Sequence, residues 1–295
     1  MICSRNRKVY QICIAVILMI VTLIMVLPLV LLFMSSITDE NTLIASGYSF
    51  FPAKLSLNAY RYIMVNASTV LHSYGLTVII TMVGTSGSVL LSALTAYPLS
   101  LRDFPGRKVI TFFVFFTMLF SGGLVPSYIM WTTTFGIKNT LWAYILPNFL
   151  LSAFNVILVR TFFQMSIPYE IYEAAKIDGA GYLRIFMKIA IPLSKPILVT
   201  IGLFAGLAYW NDWTNGLYYV TKSDMLSIQA LLNKMILDIQ ALTAHSTADS
   251  GAMMQIPQVS IRMAVAFVAI VPILIVYPFL QRYFANGIAL GAVKG

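Results

Sequence analysis

EAAKIDGAGYLRIFMKIAIP, residues 173–192, interrupts a chain that is otherwise dominated by apolar runs. In and around it stand Glu170, Glu173 and Asp178, three of the chain's ten acids, with Lys176, Arg184, Lys188 and Lys195. Ser166 and Pro168 read as a helix start, because a proline in the first turn gives up no intrahelical hydrogen bond. Residues 169–176 are then good helix formers. Asp178-Gly179 ends them, since glycine reaches positive φ at no steric cost. A second short helix is expected from Tyr182 towards Pro192. The spacing thus predicts a helix–turn–helix over 166–189. Taken by themselves, these residues allow two uses. Small Ala174 and Ala175 would let another backbone approach while Glu173 pairs with a base; alternatively, Lys176, Arg184 and Lys188 would hold an amphipathic loop on anionic lipid.

The rest of the chain explains where such a segment would lie. Of 295 residues, 59% are hydrophobic and 10% charged, with a mean hydropathy of +0.86. Soluble domains carry about a quarter charged residues. A bilayer core about 30 Å thick is crossed by roughly 20 apolar helical residues. Apolar runs predict an all-α membrane protein of six transmembrane helices, at 12–34, 71–100, 109–131, 141–162, 190–213 and 263–282. Gly84, Gly87 and Pro98 in the long second run suggest tilt, a kink or a shorter span. The first run, behind Arg5, Arg7 and Lys8, is too long for a cleaved signal and reads as a retained signal anchor.

Lysine and arginine set the orientation. With the N-terminus inside, thirteen basic residues fall on the inner side, among them Arg102, Arg107, Lys108, Arg160, Lys176, Arg184 and Lys188; only Lys54, Arg61, Lys138, Lys222, Lys234 and Arg262 fall outside. That bias places both termini and the 166–189 segment in the cytoplasm. The net charge of +9 is therefore a topology signal, and nucleic acid is not an expected partner. Organisation follows: 1–70 as tail, first helix and outer loop, 71–282 as core, 283–295 as cytoplasmic tail. On the outer side, 225–242 has the apolar spacing of an amphipathic helix, and AHSTADSGAMMQIPQ after it reads as a loop. His72 and His245 are isolated, so no metal site is expected. No Ser/His/Asp arrangement suggests an enzyme.

The central segment resembles the EAA loop of importer-type ABC transporter permeases. That pattern is E-A-A, three residues, G, nine residues, then I-x-L-P. Here it is Glu173-Ala174-Ala175, Gly179, then Ile189-Ala190-Ile191-Pro192, with Ile191 the one departure and one that keeps the volume. LQRYFANGIALGAVKG at the C-terminus is similar to the end of the carbohydrate branch, the maltose-type permeases. YWNDW, residues 209–213, resembles that branch's W-N-acid-aromatic element. SGGLVPSYIM and NTLWAYILP resemble permeases for complex oligosaccharides and polysaccharide fragments.

The resemblance implies a permease subunit of the prokaryotic cell membrane that imports a carbohydrate. Glu173, Ala174, Ala175, Asp178, Gly179, Ile189 and Pro192 would couple it to an ATPase, and Lys294-Gly295 would also reach that ATPase. Tyr209, Trp210, Asn211, Asp212 and Trp213 would either line the substrate path or form an interfacial aromatic belt. The outer loop would probe a docked binding protein. Implied partners are a second permease subunit, two cytoplasmic ABC ATPases, an extracytoplasmic solute-binding protein, the carbohydrate and the bilayer. The chain has no G-x-x-x-x-G-K-[ST] and no Gly-Lys pair, so it lacks a Walker A phosphate cradle and no cofactor of its own is expected; ATP and Mg would sit on the partner ATPases. Two rivals remain: a self-sufficient secondary transporter or channel, which would carry charges deep in its spans, and an ABC permease for a peptide, amino acid or polyamine.

Overall fold

The computed structural model describes residues 4–65, 67–147, 149–245 and 258–292. Their regular structure is helical: α1 (Ser4–Ser36), α2 (Glu40–Ser46), α3 (Asn58–Val65), α4 (Ala67–Ser100), α5 (Arg107–Leu119), α6 (Leu124–Ile129), α7 (Trp142–Ile145), α8 (Ala153–Ser166), α9 (Tyr169–Ile177), α10 (Tyr182–Ile185), α11 (Ile191–Leu193), α12 (Lys195–Trp210), α13 (Thr214–Tyr219), α14 (Ile228–His245) and α15 (Gln258–Ala292). Two π-helical turns, Met130–Thr134 and Phe186–Ala190, continue α6 and α10. Among the described residues the β pairing is one isolated bridge, Thr38 with Leu55.

The all-α membrane character holds, and the described residues reach fewer than the six expected spans by length and composition. Among the described residues, Tyr10–Ser36, Ala67–Ser100 and Val259–Val276 are long and apolar enough to cross a bilayer, and the count reaches five if each of two bent pairs is one span. The expected third span is such a pair, Arg107–Leu119 with Leu124–Thr134, bent by 112°. Its break falls at Gly122-Gly123, where Gly123 has φ +85°. The expected fifth span is the other: Tyr182–Leu193 meets Lys195–Trp210 at 80°. The expected fourth, 141–162, is divided between the four residues of α7 and the start of α8. Pro147 lies in the break, and it has no N–H with which to continue the hydrogen-bond ladder of α7. The 14 residues of α8 reach about 21 Å, short of the hydrocarbon thickness. Pro98, by contrast, leaves α4 helical to Ser100.

The chain forms two compact units, Met1–Val70 with Lys234–Pro272, and Leu71–Asn233 with Ile273–Gly295. In the first, the Phe33 and Phe267 rings lie 4.9 Å apart, and Ser36 Oγ is 2.8 Å from Tyr60 Oη. The Glu40 carboxylate accepts from the Val259 and Ser260 N–H groups, each at 2.8 Å, satisfying donors that the start of α15 cannot pair internally.

The second unit holds two clusters of buried apolar side chains. One packs Ala93, Ala96 and Tyr97 of α4 against Val159 and Phe163 of α8, Tyr172 of α9, Phe186 and Ile201. Ser88, Ser92, Ala93 and Ala96 are all fully buried on α4. Small residues of this kind let helices approach closely in lipid. The other cluster, nearer the start of α4, joins Ile80, Tyr144, Tyr209, Tyr219 and Ala230.

Candidate functional site

The sequence-predicted foot is a helix–turn–helix with a sharply defined inside and outside. α9 starts after Pro168 and ends at Asp178, whose N–H bonds the Ala174 carbonyl. Gly179 then takes φ +78°, a conformation that costs other residues, and its N–H donates to Lys176 O at 3.0 Å. The Ala180 N–H donates to Ala175 O at 2.9 Å, closing the reversal. α10 follows and widens into the π turn Phe186–Ala190.

Tyr172, Ala175, Ile185, Phe186 and Ala190 are buried in the first core cluster, with Ile189 packed partly against it. Glu173, Ala174, Asp178, Gly179 and Pro192 are exposed. Ala174 and Ala175 thus part company: Ala174 offers a small outer surface, while Ala175 packs inward and is not part of an exposed small-residue face. Ile177 is 86% exposed, and Tyr182, Leu183 and Met187 of the second arm are exposed as well. These four exposed apolar side chains are what sequence reasoning about Glu173 left out.

The foot is tied to the turn after α4. Asp103 Oδ2 accepts from the Tyr169 hydroxyl at 2.7 Å and from Lys176 Nζ at 3.1 Å. These bonds hold the carboxyl below its ordinary value, the Tyr169 contact first and Lys176 next. The same contact raises the Lys176 ammonium. Arg102 lies 4.9 Å over the Tyr169 ring, and Lys176 5.6 Å over Tyr182 of the second arm. Behind the turn, Arg160 Nε donates to Leu99 O and Gln164 Nε2 to Ser100 O, capping the last carbonyls of α4 from α8. At the far end of the foot, Ser194 is fully buried at the 80° elbow into α12.

The YWNDW element closes α12 at its other end. Tyr209 is buried, its hydroxyl donating to Ile145 O at 2.9 Å and its ring packed on Gly84, where a Cβ would collide with it. Trp210 is nearly buried, 6.1 Å edge-to-face from Tyr74. Asn211 is exposed and donates back to Leu207 O. Asp212 is buried rather than wetted: Oδ1 accepts from the Asn215 N–H, while Oδ2 has no partner among the described residues. Its carbonyl accepts from Ser227 Oγ, and Ser227 Oγ in turn accepts from the Ala230 N–H at the start of α14. Trp213 is 44% exposed. The five residues therefore do not share one open face. Lys294 and Gly295, and nearly all of the predicted outer loop, lie outside the described residues.

The pattern of the foot recurs in a known family. A model of the "binding-protein-dependent transport system inner membrane component" family matches residues 88–290, most of the chain. This chain belongs to that family. The family is one of transport components, not of enzymes. One relative, the polygalacturonan/rhamnogalacturonan transport system permease protein YtcP of Bacillus subtilis (strain 168), is 39% identical over 278 residues, spanning 94% of this chain and 96% of its own. Protein LplC of the same organism is 37% identical over 295 residues, 99% of this permease and 97% of the relative. Among solved structures, a bacterial ABC transporter involved in the import of the acidic polysaccharide alginate matches with a TM-score of 0.77 at 30% identity, covering 95% of this permease and 98% of that chain.

Asp103 is the permease residue that sequence reasoning missed. Its partners lie 66 and 73 positions away, and a lone acid in a short turn gives no periodic signal.

Proposed function

We propose that this permease forms half of the membrane pathway of an ATP-driven importer, carrying a saccharide fragment handed over by an extracytoplasmic solute-binding protein. Its partners are a second permease subunit and two cytoplasmic ATPases, which bind the ATP and Mg. The foot over 166–189 lies on the cytoplasmic side, with both termini. The observation that carries this reading is the two-sidedness of the foot. Tyr172, Ala175 and Phe186 root it in the same core as α4, α8 and α12, while Glu173, Ala174, Ile177 and Gly179 project outward. Pushing on such a foot moves the helices it is rooted in, and that is how a nucleotide cycle on one subunit becomes rigid-body switching in another.

The cargo is read from two similar proteins whose names carry polygalacturonan/rhamnogalacturonan and alginate. Lys294 and Gly295 are proposed to reach the ATPase pair as well. The test is Glu173→Lys in the assembled transporter. Membrane insertion and assembly with the second permease should persist, while ATP-dependent uptake disappears. Normal uptake by that variant sinks the coupling role.

A further inference from the structure

A cavity of about 480 Å³ lies between the last turns of α4 and the second arm of the foot. That volume is within the range of small-molecule sites, about 300–1,000 Å³. Leu94, Tyr97 and Pro98 of α4 line one side, and Tyr182, Leu183 and Phe186 line the other. The Tyr97 and Phe186 rings meet with centroids 5.2 Å apart. The cavity is not sealed, because Leu94 is 41% and Leu183 70% exposed. One turn earlier on α4, Leu90 and Leu91 are exposed too. Residues three and four apart share a helix face, so an apolar strip leads from the cavity along the membrane-spanning part of α4.

The end nearest the turn after α4 is charged. Lys176 and Asp103 both line it. Lys176 Nζ donates one N–H to Asp103 Oδ2, and an ammonium has two more to give. The turn that supplies Leu101 and Asp103 also carries Arg102, Arg107 and Lys108. Arg107 Nη1 donates to Leu101 O at 3.2 Å, and Arg102 and Lys108 are exposed. Four cations therefore stand against one acid at the end of a partly open, otherwise apolar and aromatic cavity.

A long apolar ligand with an anionic end matches both halves. A phospholipid has that form, and beside a membrane-spanning α4 it meets the cavity in the pose it already holds in a leaflet. A zwitterionic headgroup brings its own ammonium to the four cations, whereas an anionic one does not. Resting on the reading above that puts the foot on the cytoplasmic side, we propose that this cavity seats an acyl chain of an anionic phospholipid of the cytoplasmic leaflet, with its phosphate at Lys176, Arg102, Arg107 and Lys108. The seated chain joins the second arm of the foot to α4, as the Asp103 tie joins the first arm to the turn.

The experiment places the whole transporter, permease pair and ATPases together, in nanodiscs. These contain phosphatidylglycerol or phosphatidylcholine with a photoactivatable diazirine in the acyl chain, and labelled peptides are mapped by mass spectrometry. Phosphatidylglycerol should label residues 94–105 and 182–186 about ten-fold more than phosphatidylcholine, because several basic residues each favour the anionic headgroup. Elsewhere on the transporter the two should label alike. Arg102→Gln and Lys108→Gln should each cut that preference about five-fold, the weight of one basic residue at an anionic surface. Leu94→Trp, which puts a ring into the cavity from an exposed position, should bring both segments to background. Equal labelling by the two lipids, or labelling unchanged in Leu94→Trp, overturns the site. So does labelling that appears only once the ATPases are removed, since an ATPase then covers the cavity. Sidedness is read separately, with Lys108→Cys in a chain carrying Cys3→Ser and Cys13→Ser. A membrane-impermeant maleimide should reach that cysteine only from the cytoplasmic face. Reaction from the outer face overturns the cytoplasmic placement of the foot; reaction from the cytoplasmic face without a phosphatidylglycerol preference overturns the lipid site alone.

Discussion

Lys176 Nζ lies 3.1 Å from Asp103 Oδ2, so the first arm of the foot is fastened to the turn that follows α4. Both groups are on the surface, where an ion pair alone contributes little stability. Its value is positional, since the Tyr169 hydroxyl bonds the same oxygen. Asp103→Asn should therefore leave assembly intact but let the foot slip relative to α4, lowering uptake per ATP hydrolysed by roughly two- to ten-fold. An Asp103→Lys, Lys176→Asp exchange should recover part of the loss. Asp103 sits below its ordinary value, so its contribution is present above about pH 3.9 and is lost as pH falls through the lowered value. Lys176 sits above its own, so its contribution is present below about pH 10.4 and is lost as pH rises through the raised value. Amide exchange in residues 169–177 should accordingly show flat protection from this tie between about pH 5 and 9.

Gly84 is where α4 makes room for Tyr209. A Cβ at position 84 would overlap the phenol ring, so Gly84→Ala forces a shift of a buried aromatic residue. Overpacking of this kind costs about 1–3 kcal/mol. Tyr209→Phe keeps the ring and loses only the bond to Ile145 O, worth about 1 kcal/mol. Thermal unfolding of the purified transporter should rank wild type above Tyr209→Phe, and Tyr209→Phe above Gly84→Ala.

The foot was legible because its signals are local. Pro168, the 169–176 helix formers and Asp178-Gly179 each act on their own backbone, and the structure has a turn at each expected place. Span continuity was less legible. Apolar composition measures how much lipid-compatible surface a segment has, not whether its helix keeps one direction. Gly122-Gly123 and Pro147 carried the missing information, as turn signals inside apolar runs. Asp212 shows the other limit. An acid beside two tryptophans looks solvated in a linear reading, yet α13 and the start of α14 fold over it. Asp103 could be recognised only after distant elements had been brought together.

Ser227 is the joint through which α14 is held. Its hydroxyl oxygen accepts from the Ala230 N–H at 3.2 Å, and the hydroxyl donates to Asp212 O, while its N–H donates to Tyr144 Oη. Ser227→Ala removes the cap and the bond to Asp212 together. The loss of stability should be about 1–2 kcal/mol. Ser227→Thr should keep most of it, because the hydroxyl can be retained. Comparing midpoints of thermal inactivation for the two variants checks this; an alanine variant as stable as the threonine one removes the capping role.

Glu40 performs the same service for α15 from a distant part of the chain. Its two carboxylate oxygens take the N–H groups of Val259 and Ser260 separately. A carboxylate at a helix start gains from both the free donors and the aligned peptide dipoles. Glu40→Gln retains one acceptor oxygen but places an amide nitrogen, a donor, against the second N–H, so it should lose about 1–2 kcal/mol. Glu40→Ala leaves both donors without this partner and should lose at least as much. The two explanations for any loss are separable by local exchange: amide protons of residues 259–262 should exchange faster in both variants, while those of α9 stay unchanged. If exchange at 259–262 matches wild type, the carboxylate is not what holds the start of α15.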